Sequence, residues 1–193
     1  MDRRAFILRG GSTLAAAAAP AFAPMTASAV VNSVIAHNVS DHAVKHFTNN
    51  DWQTIATVQS HFLPSEADAP GAVEINALKY LHDFLSNPIT DPVDVEFILS
   101  GTQLLQRFAK KESANGQLSF IDQSIEQREI TLRQFEKQAG DSRRWLVTIL
   151  NYVLEALLTD PVYGGNPGGV GWQWLEHRAG EPHPPMNRRY WLT

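Results

Sequence analysis

The stretch that most limits the fold is "RRWLVTILNYVLEALL", residues 143–158. Trp145, Leu146, Val147, Ile149, Leu150, Val153, Leu154, Leu157 and Leu158 leave a helix drawn through it with almost no polar side. A helix that is apolar all round is buried in a protein core or spans a bilayer. This one falls short of the ~20 apolar residues a span requires, and it carries Arg143, Arg144, Asn151 and Glu155. It is expected to be a core helix, so the rest of the chain must supply helices to surround it.

Those helices can be read along the sequence. Thr48 and Asp51 form a capping-box-like start, and Trp52, Ile55, Ala56, Gln59 and Phe62 follow at helical spacing until Pro64. "PGAVEINALKYLHDFLSNP" predicts a second helix with Ile75, Leu78, Leu81, Phe84 and Leu85 on its apolar face, closed by Pro88. A third begins after Asp91, with Pro92 at the first helical position and a stripe of Val95, Ile98, Leu99, Leu105 and Phe108. Ser119 and Asp122 are expected to open a fourth, polar helix anchored by Ile121, Ile125, Leu132 and Phe135 and stopped near Gly140. Ser142 starts the apolar fifth. No segment alternates with period two, so the expected fold is all-α, a single-domain bundle of five or six helices with an irregular Gly/Pro-rich C-terminal loop and tail.

The N-terminus has a different character. Residues 1–29 open with Arg3, Arg4 and Arg9, continue into an alanine-rich apolar run, and end in small residues. That is the layout of an export signal. The pair Arg3-Arg4 followed by Phe6, Ile7 and Leu8 resembles the twin-arginine type, which exports folded cargo. Cleavage is expected between Ala29 and Val30, after Ala27-Ser28-Ala29. Residues 30–47 read as a connector, 48–174 as the helical domain, and 175–193 as a C-terminal arm carrying Tyr190 and Trp191. Formal net charge is −4, so no basic field favours nucleic acid. The absence of cysteine rules out disulfides, thiolate-held iron–sulfur clusters and a thiol nucleophile in this chain.

"TDPVYGGNPGGVGW", residues 159–172, follows the apolar helix. A phosphate cradle needs glycine N–H groups at a helix N-terminus. Here the glycines follow a C-terminus, where the dipole is negative, and no Gly-Lys-Ser/Thr follows. What remains is a rigid loop framed by Tyr163, Trp172 and Trp174. It either folds back on its own core or docks against another surface. His42 and His46 are spaced to share one helical face, but no third ligand is set by spacing, so no metal is assigned. The acidic pairs Asp91/Asp94 and Glu126/Glu129 read as solvated or as partners for Arg128 and Arg133. No catalytic residue is assigned.

The leader joined to a helical body, the "TNNDWQTI" start and "FLP" end of the first helix, and above all "DPVYGGNPGGVGW" resemble the gluconate 2-dehydrogenase subunit 3 family, whose signature runs Asp-Pro-x-Tyr-Gly-Gly-Asn…Gly-Trp. After Trp172 the chain departs from the family, with "LEHRAGEPHPP" where a Gly-Phe-Pro-Gly-type segment is common. The resemblance implies a non-catalytic small subunit of a periplasmic, membrane-associated sugar or sugar-acid dehydrogenase. FAD would sit in a large partner subunit and haem c in a possible cytochrome subunit, with no cofactor in this chain. Arg3 and Arg4 would be read by the twin-arginine translocase. Asp160, Pro161, Tyr163, Gly164, Gly165, Asn166, Gly171 and Trp172 would form the interface with the large subunit. The alternatives are an exported, metal-assisted enzyme using His42 and His46, or a free binding module of the envelope.

Overall fold

The computed structural model describes residues 44–112, 118–178 and 180. Six α-helices and no strand occur among them: α1 Asn49–Phe62, α2 Ala77–Leu85, α3 Pro92–Glu112, α4 Ile125–Glu136, α5 Ser142–Leu158 and α6 Val170–Leu175. The all-α expectation holds. The export signal, the connector up to residue 43 and the arm from residue 181 lie outside the described residues.

The helix starts follow local chemistry. At α1 the Thr48 side chain accepts from Asp51 N, and the Asp51 carboxylate accepts from Thr48 N, as a capping box requires. Asp51 is buried, and Gln106 of α3 donates to its other oxygen at 2.9 Å, so the cap also joins two helices. At α3 the Asp91 carboxylate accepts from Val93 N, and Pro92 takes the first position, where its missing N–H costs nothing.

Two helix boundaries differ from expectation. Helix α2 begins at Ala77 rather than in the Pro-Gly segment, because residues before it form turns and Asn76 is left-handed at φ 56°. Ile75 is still fully buried, but it packs from a turn. The predicted fourth helix is split. Phe120–Asp122 is a short 3-10 turn, the chain extends at Gln123, and Ser124 starts α4 through its own capping box with Gln127. Ile125 consequently faces solvent instead of the core.

α5 is the axis. It packs against all five other helices. Trp145, Leu146 and Ile149 join one apolar cluster with residues of α1 to α4. Val153, Ala156 and Leu157 join a second with Leu63, Ala72, Ile75, Ala77 and Leu175. Trp145 is fully buried; its Nε1 donates to Ile98 O at 3.1 Å, and its ring lies on Gly101, where a Cβ would come within van der Waals overlap. One expectation for α5 is corrected. Its inner side is core, but Val147, Leu150, Leu154 and Leu158 on the outer side are 37–48 % exposed. The helix is apolar all round while the described chain covers only half of it.

Candidate functional site

The glycine-rich loop and the outer side of α5 form one continuous region. α5 ends at Leu158 with Thr159 extended, so its last carbonyls have no helical partner. The loop supplies partners. Asn166 Nδ2 donates to Thr159 O at 3.0 Å, and Trp172 Nε1 donates to Leu158 O at 2.8 Å. Asn166 Oδ1 accepts from Gly171 N at 2.7 Å, in the first turn of α6. One amide side chain thus closes the C-terminal end of α5 and the N-terminal end of α6. Asn166 N also donates to Ile75 O at 2.9 Å, which ties the loop to the turn before α2. Asn166 is 0 % exposed and left-handed at φ 49°, a conformation asparagine tolerates better than most residues.

The glycines divide by what surrounds them. A Cβ at Gly171 would stand 2.2 Å from Leu157 O, and one at Gly165 would stand 2.7 Å from Ala156 O. Both positions let loop backbone lie directly on the last turn of α5. Gly168, by contrast, has nothing within 4 Å and sits at the exposed tip, where Gln173 Nε2 donates to its carbonyl. At the start of the loop Asp160 accepts from Val162 N and caps the short Pro161–Tyr163 turn.

The eight residues assigned to a partner interface are therefore held together, but not on one surface. Gly165, Asn166 and Gly171 point into the chain's own packing. Asp160, Pro161, Tyr163, Gly164 and Trp172 keep part of their surface outside. Substituting Gly165 probes the clasp as much as any interface, because the new side chain meets α5 backbone first.

Beside the clasp lies a shallow depression of about 440 Å³ lined by Tyr80, Asn151, Leu154, Glu155, Leu158 and Thr159. Tyr80 Oη donates to Glu155 Oε2 at 3.2 Å across it. Near it on the α2-facing side of α5, burial beside Phe84 raises the Tyr152 pKa above its ordinary value, and the nearby Glu155 and Asp94 carboxylates add to this. The sequence does not pair Tyr80 with Glu155; only the fold brings α2 beside α5.

The titratable groups elsewhere are spread out. His61 of α1 hydrogen-bonds Glu129 of α4 at 2.8 Å, and Arg133 pairs with the same carboxylate. The His61 contact is the main reason the Glu129 pKa is lowered. Arg128 donates to Ile121 O, and burial lowers its pKa. Among the described residues no three His, Cys, Asp or Glu side chains converge as metal ligands. His46 is exposed, and His42 lies outside the described residues. No helix among the described residues is long and apolar enough to cross a membrane.

The fold and this region define a small all-α domain whose C-terminal loop clasps a central apolar helix. A family model, Gluconate 2-dehydrogenase subunit 3, matches residues 49–180, and the chain belongs to that family. No curated protein and no solved structure matches the chain.

Proposed function

We propose that this protein is the non-catalytic small subunit of a periplasmic, membrane-associated, FAD-dependent gluconate or sugar dehydrogenase, and that it serves export and assembly of the flavoprotein. The match to the subunit 3 family across residues 49–180 is the observation that supports this reading, since that family is named for one subunit of a dehydrogenase. The Arg3-Arg4 leader supports the export role, because a folded-cargo route suits a partner that must take up its flavin before crossing the membrane. FAD belongs to the large partner, and haem c to a cytochrome subunit where one is present. Tyr163, Gly164 and Trp172, with Asp160 and Pro161, are the part of the loop that would touch the large subunit. Gly165, Asn166 and Gly171 would act by holding that surface in shape.

The test is export. Arg3→Lys with Arg4→Lys should leave both this chain and the flavoprotein in the cytoplasm, read by fractionation and by flavin absorbance of the periplasm. Normal export of the flavoprotein in that variant would refute the escort role.

A further inference from the structure

We infer that the outer face of α5, with the Tyr80–Glu155 depression at its edge, is the surface that receives the FAD-binding large subunit, through an apolar ridge of that subunit carrying a cationic side chain. The inference rests on the subunit reading above and adds the place and chemistry of contact.

Large apolar side chains more than a third exposed occur at ten described positions. Six are scattered over loops and other helices: Ile89, Val93, Leu104, Leu118, Ile125 and Ile130. Val147, Leu150, Leu154 and Leu158 are the other four, and steps of three and four residues put them in one stripe along α5. A concentrated exposed stripe marks a contact surface, whereas single exposed apolar residues need no explanation. Nothing in the bundle's own stability calls for leucine here, because the inner side of α5 already fills both clusters.

The surroundings say what kind of partner fits. The stripe is bordered by Asn151, Glu155 and Tyr80, giving an apolar centre with a polar rim. Glu155 takes part in none of the ion pairs among the described residues, and its carboxylate accepts a hydrogen bond from the Tyr80 hydroxyl. A lysine or arginine stem laid over Leu154 and Leu158 would bring its charge to that carboxylate. The stripe is also continuous with the loop, since Trp172 Nε1 is bonded to Leu158 O at its lower end. A large subunit can extend from the stripe onto Tyr163 and Trp172. A second copy of this chain, paired through α5 alone, would bury four half-exposed side chains per protomer, well short of the ~800 Å² per partner of a stable interface.

The experiment co-produces the full chain with the FAD-binding large subunit of the same source and measures their affinity and salt dependence. Leu154→Glu with Leu158→Glu should weaken binding by at least ~30-fold, as expected for loss of an interface centre, while circular dichroism still shows the folded helical domain. Glu155→Gln should weaken it ~3–10-fold and flatten its salt dependence. Ile89→Glu with Val93→Glu, more exposed and elsewhere on the surface, should leave binding unchanged. Wild-type affinity in the Leu154/Leu158 variant would overturn the docking surface while leaving the subunit reading intact. A wild-type chain that binds no flavoprotein would overturn that reading itself. A chain that dimerises alone, loses the dimer in the Leu154/Leu158 variant and still binds flavoprotein normally would assign the face to a second copy, against the inference.

Discussion

Replacing Gly171 with alanine sets helix propensity against packing, and the structure supplies both sides. In an ordinary helix interior the change would stabilise by ~1 kcal/mol. Here the new Cβ would lie 2.2 Å from Leu157 O and 2.8 Å from Leu157 Cδ1. An ordinary carbon–oxygen contact is ~3.3 Å, so α6 must move outward by about 1 Å. That shift stretches the 2.7 Å bond from Gly171 N to Asn166 Oδ1 and leaves a buried acceptor poorly satisfied. Overpacking costs ~1–3 kcal/mol and the weakened bond ~1–3 kcal/mol. After subtracting the propensity gain, the net loss is roughly 1–5 kcal/mol. For a domain of this size each kcal/mol moves Tm by ~2–4 °C, so Tm should fall by several degrees, measured by circular dichroism alongside the urea midpoint. Gly168→Ala is the comparison: it meets nothing within 4 Å and carries only the strain of φ 64°, ~1–2 kcal/mol. A Gly171→Ala protein as stable as wild type would refute the clasp, since backbone would then not need to touch α5 at that point.

Two other contacts carry predictions, one in the same clasp and one between α1 and α4. Asn166→Ala removes both side-chain bonds to Thr159 O and Gly171 N and puts alanine at φ 49°, so a loss of ~2–4 kcal/mol is expected in urea unfolding; a loss under ~0.5 kcal/mol would show that water replaces the amide without cost. For Glu129 the folded pKa lies below the unfolded one, so its contribution is present above the ordinary glutamate range near ~4.3 and is lost as pH falls through the depressed value. Glu129→Gln should therefore lower stability in urea unfolding at pH 7 slightly, by under ~1 kcal/mol because the carboxylate is 43 % exposed, and the gap to wild type should close as pH falls through the depressed value. A gap that does not change with pH would refute the His61 pairing as its source.

Features written in neighbouring residues were legible in the sequence. The Thr48/Asp51 box and the Asp91-Pro92 start need only a few consecutive positions, and both stand as expected. The fourth helix was misplaced because two start signals compete, and Ser124 with Gln127 satisfies both orphan donors where Ser119 with Asp122 does not. The role of Asn166 depends on Ile75 O and on the end of α5, partners no local pattern can assign. The exposure of the outer side of α5 was also out of reach. Periodicity records that a residue is apolar, and says nothing about whether its cover comes from the same chain.

The second apolar cluster has a consequence for the order in which the chain can fold. Leu63, Ala72, Ile75 and Ala77 are synthesised early, yet their packing partners Val153, Ala156, Leu157 and Leu175 emerge only after most of the domain has been made. Until then the first half holds an open apolar surface, and neither the bond from Asn166 N to Ile75 O nor the seat of α6 can form. A nascent chain interrupted before Val153 lacks every one of those partners, and exposed apolar segments of that kind are targets for chaperones and proteases. The second cluster therefore closes only when the C-terminal part of the domain has been made.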